Sequence, residues 1–85
     1  MDPSELTRLL TDYIVAEVAM RPLEDALTPD YPIVESGLVD SLGLFKVISF
    51  IEEELAIEIA PEDIVIENFV TVGAIVAFVG KNRHR

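Results

Sequence analysis

Apolar residues return at helical spacing in three stretches of the chain, with proline- and acid-rich segments between them. The first stripe is Leu6, Leu9, Leu10, Tyr13 and Ile14, which falls on one face of a helix. Asp2-Pro3-Ser4-Glu5 supplies its start, with Asp2 as cap, Pro3 at the first helical position and Glu5 completing a capping-box pattern. Pro22 bars continuation, so this helix is expected to fade between Glu17 and Met20. The second stripe, Leu44, Ile48, Ile51 and Leu55, steps by four, three and four, and Val47 widens it. It predicts a helix from Ser41 to Leu55. The third follows Thr71 as cap and comprises Val72, Ile75, Val76 and Val79. Its β-branched content also suits a strand, but length and capping favour a helix.

The segments between these stripes carry their own signals. Met20 to Val39 contains Pro22, Pro29 and Pro32, and a loop of that length needs a reason inside a compact domain. Leu27, Ile33, Val34 and Leu38 provide one, as apolar anchors pinning the loop across the bundle. A short helical turn is expected around Leu23 to Leu27. Ala56-Ile57-Glu58-Ile59 alternates like a strand without a partner, and reads as an extended connector burying Ile57 or Ile59. Pro61-Glu62-Asp63 marks a turn or helix start, and Ile64 to Asn68 a short helix. Lys81 to Arg85 reads as a flexible basic tail. The expected fold is all-α: a single domain over residues 1–85, with three longer helices, one short helix and a long loop between helices 1 and 2.

Composition narrows the function. Eighty-five residues suffice for one core without staples. The lack of cysteine excludes disulfides, and one histidine leaves almost nothing for zinc. Glu24, Asp25, Asp30 and Glu35 lack the spacing and glycine of a calcium loop and read as solvated acids, so no metal site is expected. The net charge is −10, and residues 1–80 hold three basic and sixteen acidic side chains, or −13. That balance opposes nucleic acid and favours electropositive protein partners. On charge alone, an acidic surface implies no more than solubility. Met1-Asp2-Pro3 lacks the features of a signal peptide, and Phe69 to Gly80 is too short to cross a bilayer. A cytoplasmic monomer with no membrane partner is expected. His84 stands in the tail, a poor place for a Ser-His-Asp device. The expected protein is therefore not an enzyme.

The chemistry is concentrated in Glu35-Ser36-Gly37-Leu38-Val39-Asp40-Ser41-Leu42, which closes the long loop and opens the second helix. Gly37 offers the backbone freedom of a sharp turn. Asp40 is a good cap, leaving Ser41 as the first helical residue with its hydroxyl outward. A phosphate attached there lies at the positive end of the helix dipole. Leu42 and Phe45 fall on the exposed side beside it, one turn apart. Phe45 is either a partner contact or a residue tucked into the core edge. Ser4, Ser36 and Ser49 are the competing hydroxyls, of which Ser36 lacks the preceding Asp and the following helix.

Gly37-Leu38-Val39-Asp40-Ser41-Leu42 resembles the Asp-Ser-Leu attachment motif of acyl carrier proteins. The Glu-Ser-Gly-Leu lead-in, Glu52-Glu53-Glu54-Leu55, and Asn68-Phe69-x-Thr71-Val72 follow in the family's order, so the likeness runs from about Leu6 to Val79. The resemblance implies that Ser41 carries 4′-phosphopantetheine, attached covalently from coenzyme A, with Asp40 as motif residue and cap. It also implies thioester-bound acyl intermediates of a fatty-acid, polyketide or other specialised pathway. The implied partners are a phosphopantetheinyl transferase, an acyl- or aminoacyl-loading ligase or acyltransferase, and a ketosynthase or other downstream enzyme. Free-standing aminoacyl or peptidyl carriers also resemble this pattern. An acidic helical interaction module without a prosthetic group is the remaining alternative.

One departure sets this chain apart. Many fatty-acid carriers place acidic residues in the first turns after the modified serine, whereas Gly43 and Lys46 stand at those positions here. Leu42, Phe45, Lys46 and Ser49 are then the expected partner contacts, and a dedicated, more apolar partner set is expected. On this reading Gly43→Asp with Lys46→Glu would improve loading by a housekeeping ketosynthase or acyltransferase; the alternative is that Lys46 merely pairs with a neighbour and partners ignore it.

Overall fold

The computed structural model describes residues 2–82. Helix α1 spans Pro3–Tyr13 and starts as expected, the Asp2 carboxylate accepting the Glu5 N–H at 2.8 Å. Leu6 and Leu10 point inward. Periodicity did not announce how the helix ends. Ile14–Val18 form a π-helical turn, closed by the Ala19 N–H on the Ile14 carbonyl at 2.7 Å. Both Ile14 and Val18 are buried by it. Helix α2 runs Ser41–Leu55 and α3 runs Val72–Asn82, so the fold is all-helical with three longer helices.

The long loop after α1 is folded into the core rather than draped over it. Leu27, Ile33 and Leu38 are buried, and Val34 is half-buried. Backbone groups fasten it on both sides: Pro29 accepts the Gly73 N–H at 2.8 Å, and the Ile33 N–H reaches the Val70 carbonyl at 3.0 Å. The Ile33 carbonyl in turn accepts the Val39 N–H at 2.9 Å. The helical turn expected around Leu23 to Leu27 is absent; Glu24 and Asp25 form only bends. A single turn fixes several dihedrals for one hydrogen bond, and with Glu24, Asp25 and Ala26 exposed only Leu23 and Leu27 pack inward from this segment.

The buried side of α2 is rotated relative to the expected stripe. Gly43, Val47, Ile48 and Ile51 are buried, while Leu44 and Leu55 are half-buried. Val18, at the end of the π turn, lies against α2 at Gly43. Ala56 closes α2 in the left-handed conformation at φ 52°, where a glycine is more usual. The connector that follows buries Ile59 and half-buries Ile57. Glu52 accepts the Ile59 N–H at 2.9 Å and holds the connector to α2.

The turn expected at Pro61-Glu62-Asp63 is a single 3-10 turn, Pro61–Asp63, and the short helix expected at Ile64 to Asn68 is reduced to another, Ile66–Asn68. Asn68 donates its side-chain amide to the Asp63 carbonyl at 2.8 Å and closes this segment. Phe69 is buried next, its ring 5.6 Å from that of Phe78. Thr71 caps α3 through the Ala74 N–H at 2.9 Å, and Val72, Ile75 and Val79 face the core. Lys81 and Asn82 belong to the last turn of α3 rather than to a tail. The remainder of the expected tail, with His84, lies outside the described residues.

Ile33 is fully buried and joins the loop to both neighbouring segments, so Ile33→Ala should cost about 2–5 kcal/mol. Leu42, 72 % exposed, should tolerate Ala within about 0.5 kcal/mol. Urea denaturation followed by circular dichroism measures both, and equal losses would contradict a loop built into the core.

Candidate functional site

The loop delivers its last residues to α2 through a sequence of local bonds. The Ser36 N–H reaches the Pro32 carbonyl and the Gly37 N–H the Val34 carbonyl, each at 3.0 Å. Gly37 then sits at φ 81°, a conformation that side-chain-bearing residues rarely adopt. The Ser36 hydroxyl accepts the Leu38 N–H at 3.3 Å, so Ser36 is occupied in the turn. Leu38 and Val39 drop into the core, which raises Asp40 and Ser41 to the surface.

Asp40 adopts extended backbone and caps α2, its carboxylate accepting the Gly43 N–H at 2.8 Å while its carbonyl accepts that of Leu44 at 2.8 Å. Such a cap contributes about 1 kcal/mol. Ser41 is the first residue of α2 and is exposed. The Ser41 and Leu42 N–H groups belong to the first turn, which has no carbonyls of its own to receive them. These groups and the dipole of a 15-residue helix suit a phosphodiester on the Ser41 hydroxyl. Asp40 is the nearest opposing charge, and its cap bond turns one carboxylate oxygen back onto Gly43.

The other residues singled out from sequence gather on one side of α2. Leu42, Phe45, Lys46 and Ser49 are all exposed, Phe45 by 59 %, and they line a shallow groove with Tyr13, Phe50 and Glu53. Phe45 is thus displayed and not tucked into the core edge. Tyr13 and Phe50 form the groove's far wall as stacked rings, 3.9 Å apart and 10° from parallel. Gly43 does not join this side. It is buried, and a Cβ there would stand 2.7 Å from Val18 Cγ1. Gly43→Asp would therefore press a carboxylate into Val18 instead of displaying it, and the expected double change is corrected to Lys46 alone. Sequence spacing could not reveal this, because it depends on the contact with Val18, a residue distant in the chain.

Arg21 is a site residue that the sequence reading missed. Its guanidinium donates to the Ser36 carbonyl at 3.2 Å and to the Tyr31 hydroxyl at 3.1 Å, tying the start of the loop to the turn that leads into α2. The Met20 N–H adds a bond to the Leu38 carbonyl at 2.9 Å. A basic residue amid sixteen acids was the available signal. Hydrogen bonding by Arg21, then by the Ser36 hydroxyl, lowers the Tyr31 phenol below its ordinary value. Among the described residues no cluster of His, Cys, Asp and Glu is arranged to hold a metal ion, and no helix is long and apolar enough to cross a membrane.

An exposed serine on a capped helix start, reached through a folded loop, offers an accessible hydroxyl at the positive end of a helix dipole. The family model for the phosphopantetheine attachment site matches residues 13–79. The chain is also 30 % identical over 74 residues to the probable acyl carrier protein PigG of Serratia sp. (strain ATCC 39006), covering 84 % of this chain and 85 % of that protein. The chain belongs to the acyl carrier protein family, whose prosthetic group is covalently attached 4′-phosphopantetheine.

The Tyr31 shift has a definite sign. A lowered phenol favours the ionised form in the folded protein, so its stabilising effect is present above the unfolded value of about 10 and is lost as pH falls through the folded value. At neutral pH the pair is a phenol–guanidinium hydrogen bond. In a carbon-13 NMR titration Tyr31 should ionise below about 10, and Arg21→Ala should move it back up. An unchanged midpoint in the variant would mean that Arg21 does not hold the phenol.

Proposed function

We propose that Ser41 is the residue that carries 4′-phosphopantetheine, and that the protein transports acyl intermediates between enzymes of a specialised biosynthetic pathway. The observation that carries this reading is the exposed Ser41 at the Asp40-capped start of α2, inside the matched family segment. In loading, the Ser41 hydroxyl oxygen forms a bond to the phosphorus of coenzyme A that bears the pantetheine. The bond from that phosphorus to the nucleotide breaks, adenosine 3′,5′-bisphosphate leaves, and the hydroxyl proton passes to a base of the transferase. When bound, the group supplies a thiol that holds acyl cargo as a thioester, a role that no side chain of this cysteine-free chain can fill. Asp40 keeps α2 capped and the hydroxyl on its first residue. Bond-making at the cargo is assigned to the partners: the transferase, a loading ligase or acyltransferase, and ketosynthase-like enzymes of the cytoplasm.

Incubation with coenzyme A and a broad-range transferase should add one phosphopantetheine per chain by intact mass. Ser41→Ala should abolish the addition and leave helical content unchanged. Modification that persists in that variant, or maps to Ser36, would overturn the assignment. The mass of protein purified from its native host would report the cargo, acyl or aminoacyl.

Leu42, Phe45, Lys46 and Ser49 are proposed as the partner contact, because they are exposed in the turns of α2 that follow Ser41 and line one groove. Lys46 repels a basic surface made for acidic carriers. Lys46→Glu should therefore raise loading by a housekeeping fatty-acid acyltransferase by roughly two- to fivefold, an effect that shrinks with added salt. Equal efficiency and equal salt dependence in wild type and variant would show that this side does not select the partner.

A further inference from the structure

Three residues at the exit of α1 grip the segment that presents Ser41. The Val18 side chain lies against Gly43 in the first turn of α2. The Met20 N–H holds the Leu38 carbonyl at 2.9 Å, and the Arg21 guanidinium holds the Ser36 carbonyl at 3.2 Å. The π turn sets this grip. It carries Val18 inward to 6 % exposure before the chain leaves the helix in extended backbone at Ala19. π turns recur at functional sites because they re-aim a side chain without ending the helix early.

The contact between Val18 and Gly43 is the tightest part of the grip. A Cβ built at Gly43 would meet Val18 Cγ1 at 2.7 Å, Val39 Cγ1 at 3.2 Å and the Asp40 Oδ1 that caps the same helix at 3.3 Å. Ordinary contact begins near 3.4 Å, so one methyl at this position demands a displacement of about 0.7 Å. Val18 yields poorly, since branching at Cβ stiffens its rotamer. The displacement therefore falls in large part on the first turn of α2. Gly43 lies two residues from Ser41, and its N–H is the one that the Asp40 cap receives.

We propose that Gly43 is a positioning residue for loading: its missing side chain seats the first turn of α2 on Val18 and so sets where the Ser41 hydroxyl is offered to the transferase. The proposal rests on the reading of Ser41 as the attachment residue and adds what fixes its pose. Helix propensity alone favours alanine over glycine inside a helix. Close packing against Val18 is the structural reason for glycine here, where the backbone conformation itself makes no demand for it.

The test compares Gly43→Ala, Val18→Ala and the double variant. Each single change alters the seat by one side and should lower transferase kcat/KM on the order of tenfold, since misplacement by a fraction of an ångström is costly in group transfer. In the double variant the alanine methyl occupies space that the valine vacated, and kcat/KM should return to within about threefold of wild type, a strongly non-additive pair. Amide shifts of Ser41 and Leu42 in the unmodified protein should follow the same pattern, displaced in both single variants and restored in the double. Additive losses, or single variants with wild-type kcat/KM and unmoved amides, would overturn the proposal. If Gly43→Ala alone does not fold, recovery of the fold and of the amide shifts in the double variant still decides it. If wild type itself is not loaded, the Ser41 reading fails, and the amide shifts continue to report whether Gly43 seats the turn.

Discussion

Ile33 is the point through which the loop is joined to the rest of the molecule. Its N–H is taken by the Val70 carbonyl just before α3, and its carbonyl takes the Val39 N–H just before α2. Its side chain meanwhile is fully buried in the shared core. One residue thereby fastens the entries of two helices to each other. A loop with three prolines and no helix of its own would otherwise pay the ordering entropy of many residues with little return. Fastened in this way, it behaves as part of the core, and the turn at Gly37 and the cap at Asp40 inherit a defined position.

The side of the molecule that bears Ser41 is built on the opposite logic. Stability comes from the inward residues of α2, Gly43, Val47, Ile48 and Ile51, while Leu42 and Phe45 are left in solvent. Exposed apolar side chains contribute little to folding. The residues proposed to meet partners can therefore change without threatening the fold. Gly43 has no such freedom, although it lies between Leu42 and Phe45 in the sequence. Two positions one residue apart thus face different constraints, one set by recognition and the other by packing.

Much of this was legible from residue order. Asp2, Asp40 and Thr71 announced the helix starts because capping is local chemistry, and each makes the N–H bond expected of it. Ile33 and Leu38 announced a buried loop because isolated apolar residues amid prolines have few other uses. What was not legible depended on contacts between distant segments. The π turn at Ile14–Val18 has no periodic signature, and Val18 at its end lies against the buried Gly43. Glu52 looked like a surface acid until the connector folded back to offer the Ile59 N–H. Arg21 gains its role only through the fold, which brings the Ser36 carbonyl within its reach. Lys46 is exposed on α2, so its charge faces solvent.

The proposed attachment residue needs two properties that work against each other. A hydroxyl offered to several enzymes must stand clear of the protein, yet a hydroxyl on a loose segment would present a different geometry at each encounter. This chain separates the two requirements by one residue. Val39 is buried and anchored to Ile33, Asp40 turns the chain and caps the helix, and Ser41 begins the exposed side. Rigidity is supplied from beneath, by Val18, Met20 and Arg21, none of which needs to touch what is attached above. The acidic body can then attract basic partners over distance. The final fit is left to the few side chains around the serine, where Lys46 and the exposed Leu42 and Phe45 differ most from a uniformly acidic surface.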